Sequence, residues 1–209
     1  MNDPIISKLA ELFQRFPGIG PRQARRFTYA LADQNPKYLK DLASSILKIN
    51  DEISRCKMCY RIFSGPPNKQ AGKAKYCAVC ENPSRDESKL LVIEKDADLE
   101  NFEKNGIYDG GYFILGGLLS PLKPEKKDKL NLKELKARVG ESNSIKEIVL
   151  ALSATTEGDM TRHFIEEMLG EAIKKRGLTI TNLGRGLSTG TELEYSDRDT
   201  LRHAFENRK

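Results

Sequence analysis

No apolar run in this 209-residue sequence approaches the roughly 20 residues a bilayer-spanning helix needs, which excludes a transmembrane helix. No internal repeat and no low-complexity tract is present, so solenoid and linker-type readings fall away as well. A secretory leader is not expected either. The first ten residues already carry Asp3, Lys8 and the apolar spacing of a folded helix. A cytosolic location follows as an expectation. Cysteine is scarce, with four residues in all, and a cytosolic chain has little use for disulfides. What remains is an ordinary globular composition, 38% hydrophobic and 31% charged, too apolar for a disordered chain.

The formal net charge of +5 is unevenly placed. Residues 1–80 hold 14 Lys and Arg against 6 Asp and Glu, whereas residues 81–209 hold 21 against 24. A basic first half suggests a polyanionic partner met there, although a plain solvated basic surface would read the same way.

Apolar residues Ile5, Ile6, Leu9, Leu12 and Phe13 follow helical spacing. Pro17-Gly18-Ile19-Gly20 then interrupts, and Pro21 suits the first turn of a second helix through about Ala32. Asn35-Pro36 opens a third helix through about Ile49. Segment 55–81 contains no convincing helix. Beyond it, strands are expected at Leu90–Glu94, Tyr112–Leu115, Ile148–Leu152 and Leu178–Thr181. Helices are expected at Asp96–Lys104, Leu132–Val139, Met160–Lys175 and 198–207. Alternating strands and helices predict a parallel sheet covered on both faces. The domain boundaries expected are 1–54, 55–81, 82–182 and a tail, 183–209.

The first two helices form a helix-hairpin-helix pattern suited to phosphate. Gly18 and Gly20 permit a tight bend with accessible backbone N–H groups, and the next helix starts there with its positive dipole end. Arg22, Arg25, Arg26 and Tyr29 fall on one face of that helix, while Ala24, Phe27 and Leu31 point the other way toward a core. Such a surface holds DNA by its backbone and reads little sequence. The bland alternative is a helical connection with a solvated arginine face.

Cys56-Lys57-Met58-Cys59 and Cys77-Ala78-Val79-Cys80 are two C-x2-C knuckles with 17 residues between them. Two such turns close a tetrahedral site, and four thiolates with no open position make a structural zinc finger. A redox reading of either pair needs a thioredoxin-like βαβ context, which is missing.

Glu94 stands at the end of the first strand of the α/β half, where open sheets place functional groups. The architecture resembles the Toprim module of topoisomerases and primases, whose enzymatic members pair such a glutamate with a D-x-D motif that binds Mg²⁺. Here Ser153 and Thr155 stand at the D-x-D positions, so strong Mg²⁺ binding is not expected. Glu157 and Asp159, just downstream, either join Glu94 in an acidic patch or merely favour the start of a helix.

Taken in order, these elements resemble one family across essentially the whole chain: RecR, the bacterial recombination mediators. Leu12 to Leu31 match its hairpin, and Cys80-Glu81-Asn82-Pro83-Ser84-Arg85-Asp86 its run out of the zinc site. The stretches Gly106–Phe113 and Leu115–Leu122 match its glycine-rich core signature. Arg185-Gly186-Leu187, Gly190 and Leu193-Glu194-Tyr195 resemble its terminal segment. The resemblance implies a multidomain α/β protein: a helix-hairpin-helix bundle, a four-cysteine zinc finger, a Toprim-like parallel domain and a short tail for oligomerisation. It implies a non-enzymatic role in recombinational repair, helping to load recombinase onto gapped DNA coated with single-strand-binding protein. It also implies a ring-like homo-oligomer, dimers joined into a tetramer, with RecO and RecF as partners. Arg22, Arg25 and Arg26 would then line the ring as DNA contacts, and Glu94, Glu157 and Asp159 would dock basic RecO. The chain departs from the family in a longer loop between the knuckles (Gly65, Pro66, Pro67, Lys69, Lys73, Lys75), in Ser153, in Ser188-Thr189, and in lysine-rich 123–129. Two other readings are a Mg²⁺-dependent Toprim nuclease and a zinc-ribbon scaffold for RNA or protein.

Overall fold

Proline opens each of the first three helices, because its fixed φ suits the first turn and its missing N–H is not needed there. The computed structural model describes residues 3–65, 75–122 and 124–208; Pro66, Pro67, Lys69, Lys73 and Lys123 lie outside them. Two compact units result, residues 1–52 and 53–209.

The first unit contains α1 (Pro4–Phe13), α2 (Pro21–Ala32) and α3 (Pro36–Glu52). Asp3 caps α1 by accepting from the N–H groups of Ile5 and Ile6, and the Asn35 side chain accepts from Tyr38 N–H at the start of α3. Small residues carry the packing between α1 and α2: Ala10, Ala24 and Thr28 are buried. The Thr28 hydroxyl donates to Ala24 O, so its burial leaves no unpaired polar atom. Phe27, expected in the core, packs its ring edge-on to Phe13 at 5.8 Å but keeps 39% of its surface exposed. Along α3, Leu39, Ile46 and Ile49 share one exposed face.

The second unit begins with an antiparallel pair that the sequence pattern does not announce, β1 (Ile53–Arg55) and β2 (Ile62–Ser64). A single helical turn, α4 (Ala78–Glu81), follows, where no helix was expected. It arises because the N–H groups of Cys80 and Glu81 both bond to Cys77 O, so the knuckle itself winds the turn.

Four parallel strands form the sheet, β3 (Asp86–Ile93), β4 (Gly110–Ile114), β5 (Glu147–Ala151) and β6 (Thr179–Asn182), in the order β4-β3-β5-β6. β3 starts four residues earlier than its apolar run, with a register shift between Asp86 and Leu90 against β4. The connections are α5 (Asp96–Asn105), α6 (Leu132–Glu141) and α7 (Thr156–Arg176). α7 also starts four residues early, since the Thr155 hydroxyl caps it by accepting from Gly158 N–H. A final helix, α8 (Arg198–Glu206), closes the tail.

Period-two alternation along β3 divides the core. Leu90 and Val92 face one side, with Phe113, Ile148 and Leu150, under Leu135 and Val139 of α6 and Ile165 and Leu169 of α7. Leu91 and Ile93 face the other, with Tyr112, Ile114 and Leu99 of α5, and Cys56, Cys59 and Cys77 are buried in that same cluster. The knuckles thus form part of the cover over one sheet face. Among the described residues no helix is long and apolar enough to cross a membrane.

Candidate nucleic-acid interface and metal centre

The bend between α1 and α2 requires glycine at one position. Gly18 has φ +79°, in the left-handed region that side-chain-bearing residues avoid, and a Cβ there would meet nothing. Gly20 precedes α2 in extended conformation, and no side chain caps the helix start. The first helical bond runs from Ala24 N–H to Gly20 O, which leaves the earlier amides directed outward. Arg22, Arg25, Arg26 and Tyr29 are all exposed, and among the described residues no carboxylate pairs with the three arginines. Uncapped amides, a helix dipole and free guanidinium groups together make a surface suited to sugar–phosphate oxygens.

In the second unit the sulfur atoms of Cys56, Cys59, Cys77 and Cys80 lie within 4.8 Å of one another. Cys59 and Cys77 stand 3.6 Å apart, too far for a disulfide and close to the ~3.8 Å edge of a tetrahedral zinc–thiolate site. Metal-free, the four sulfurs conflict. The Cys80 thiol is pushed far above its ordinary range by hydrogen bonds to Cys56, Cys59 and Cys77 and by burial, while Cys56 is drawn well below it by hydrogen bonds from Cys59 and Cys77. A cation relieves that conflict by allowing all four to ionise. The donor set therefore fits a tetrahedral thiophilic metal with no open coordination position.

Backbone geometry holds the knuckles in place. Tyr60, at φ +65°, turns the chain out of the first, and Cys56 N–H bonds to Arg61 O. Lys57 N–H reaches Lys75 O, tying the two knuckles together. The first knuckle also seals the sheet, because Ile114 N–H on edge strand β4 donates to Cys59 O at 2.8 Å. Arg138, from α6, donates one guanidinium nitrogen to both Met58 O and Tyr112 O, each at 2.6 Å. Burial lowers its pKa, opposed chiefly by the sulfurs of Cys80, Cys59 and Cys56.

The acids of the α/β half take separate roles. Glu94 is 5% exposed, and its carboxylate accepts Ser153 N–H at 2.7 Å, tying the end of β3 to the end of β5. Asp159 pairs with Arg185 from the tail and with Arg162, which hold its pKa below the usual carboxylate range, the Arg185 hydrogen bond most strongly. Glu157 is partly exposed. Among the described residues these acids do not gather into a metal-holding group; the four cysteines do. Ser153 and Thr155 serve the backbone instead, one as a donor to Glu94 and one as the cap of α7.

This loop depends on Gly158, where an added Cβ would lie 1.9 Å from Ser153 O. Gly158→Ala must displace backbone, so a loss on the order of 2–3 kcal/mol is expected, read as a lower unfolding midpoint in denaturant. An unchanged midpoint would contradict the packing described.

Comparison with known proteins matches this arrangement segment by segment. The model for "RecR, helix-hairpin-helix" covers residues 6–49, that for the Toprim domain residues 88–183, and that for "RecR, C-terminal" residues 186–209. The Recombination protein RecR of Chloroflexus aurantiacus is 36% identical over 204 residues, spanning 98% of this chain and 93% of the relative. The proteins of the same name from Lactobacillus helveticus and Streptococcus mutans are 32% and 34% identical over 203 residues, each spanning 97% of this chain and 96% of the relative. The chain belongs to the RecR family. These relatives carry the name of a recombination protein.

Two residues that hold this RecR chain's sites together escaped the sequence pattern. Arg138 and Arg185 look like ordinary surface cations, because their partners, Met58 O and Asp159, lie 80 and 26 residues away. Of the two, only Arg185 falls in a stretch that resembles the family's, and that stretch says nothing of its partner.

Proposed function

We propose that this RecR chain is a DNA-binding mediator of recombinational repair that works without catalysis, as a homo-oligomeric clamp acting with RecO and RecF. Its task is to help load recombinase onto gapped DNA coated with single-strand-binding protein. One observation carries the reading: a glycine bend, an uncapped helix start and three exposed arginines, none paired with an acid among the described residues, occur together at α2. Gly18 and Gly20 bring backbone amides to the phosphates, and Arg22, Arg25 and Arg26 supply the charge.

Zinc at Cys56, Cys59, Cys77 and Cys80 braces the cover of the sheet. The metal supplies a fixed tetrahedral crosslink, while Tyr60, Arg61 and Lys75 shape the turns that present the sulfurs. Oligomerisation is supported by apolar surface that a lone chain leaves wet, namely Leu39, Ile46 and Ile49 on α3 and Leu193, Tyr195 and Phe205 in the tail. RecO, as a basic partner, would meet Glu157 and Asp159. Glu94 would act beneath them by fixing the Ser153 loop rather than by touching the partner.

Affinity for gapped duplex DNA measured against salt tests the reading. Each phosphate contact contributes about 0.9 to the slope of log affinity on log salt, so a steep dependence is expected. A flat dependence, or preference for RNA or protein with no DNA binding, would support the scaffold reading instead.

A further inference from the structure

We propose that Arg138 is a positioning residue for the cysteine metal site, serving both as its counter-cation and as the strap that joins it to the sheet. The inference rests on the reading of Cys56, Cys59, Cys77 and Cys80 as a metal site. Four thiolates around a dication leave two negative charges uncancelled, and an anion set into a sheet cover needs a nearby cation or buried donors. Arg138 stands in the right place to supply both.

Arg138 is half-buried at the outer edge of β4, and no carboxylate lies within ion-pair distance among the described residues. Arg85 and Arg185, also half-buried, each pair with an acid, Glu103 and Asp159. Arg138 lies instead against the first knuckle, bonded to the carbonyl one residue before Cys59. The geometry is equally specific. One nitrogen reaches Met58 O, inside the first knuckle, and Tyr112 O, on the strand two residues before the Ile114 that bonds to Cys59 O. Knuckle and strand are therefore joined at two points, one backbone and one through Arg138. Always charged and rigid in its plane, a guanidinium can serve both roles at once; an ammonium on a flexible lysine stem can supply the charge but is less firmly held against the two carbonyls. Groups that orient metal ligands from behind commonly change affinity by about 10- to 100-fold when removed.

The consequence is that metal retention depends on a helix lying outside both knuckles. The test uses the full-length chain loaded with Zn²⁺, with metal removal followed under a competing chelator for the native protein, Arg138→Met and Arg138→Lys. Arg138→Met should lose metal about 10- to 100-fold more readily, and Arg138→Lys, which keeps the charge, should fall between. Melting of each protein is then compared with and without metal. The Arg138→Met penalty should be larger in the loaded protein than in the metal-free one. Equal penalties in both states, or equal metal retention by Arg138→Met and the native chain, would overturn the proposal by making Arg138 a packing residue only. A native chain that takes up no thiophilic metal would overturn the metal reading itself, a separate and recognisable failure.

Discussion

Replacing Arg22, Arg25 and Arg26 together with alanine should reduce affinity for gapped duplex DNA by two orders of magnitude or more while leaving the fold intact. The three side chains are exposed and make no ion pair with a described acid, so their removal takes no packing or buried partner from the helix. Surface changes of this kind alter stability by about 0.5 kcal/mol or less, and alanine favours the helix. Their effect on binding is of another size. If each arginine neutralises one phosphate, the slope of log affinity on log salt should fall by about 2.7. The loss should be uniform across DNA sequences, because backbone contacts read no bases. Fluorescence anisotropy over a salt series, beside a thermal melt, measures both quantities. A variant that melted early would implicate folding; one that melted normally and bound normally would refute the hairpin assignment.

The second large effect belongs to the metal. Cys77→Ser should lower metal content and stability together. Cys77 is buried, its sulfur lies 3.6 Å from that of Cys59, and its backbone N–H faces the Cys56 sulfur at 3.4 Å. A hydroxyl there would neither ionise as a thiolate does nor span the same metal distance. The knuckles cover the sheet face formed by Leu91, Ile93, Tyr112 and Ile114, so loosening them exposes apolar core as well as edge strand β4. A loss of about 3 kcal/mol would lower Tm by roughly 6–12 °C in a chain of this size. A chelator should shift the native protein in the same direction and leave Cys77→Ser nearly unmoved. Unchanged melting in a metal-free protein would contradict the structural role.

Much of this was legible in the sequence because the signals were local. Pro21 and Pro36 mark helix starts within a turn, and Gly18 marks a bend that its positive φ requires. Paired C-x2-C spacing announces a four-sulfur site, and the sulfurs do converge. Strand positions in the sheet followed from apolar runs, since a sheet covered on both faces is apolar on both. What escaped was non-local or too short. β1 and β2 are three residues each, with no alternation long enough to register. The true start of α7 lies in Thr156–Asp159, where polar residues and a glycine hide a helix that Thr155 caps. The acids show the same limit most clearly. Glu94, Glu157 and Asp159 look alike on paper, yet one is buried under Ser153 and another is held by Arg185 across 26 residues. Spacing identifies which side chains share a helix face. It does not identify which loop folds over them.

Backbone amide hydrogen exchange from Gly18 to Gln23, with and without gapped duplex DNA, bears most directly on the claim that this bend grips phosphates. Saturating DNA should slow exchange at Gly18, Gly20, Arg22 and Gln23. Saturation with those amides exchanging as fast as in the free protein would place the DNA elsewhere.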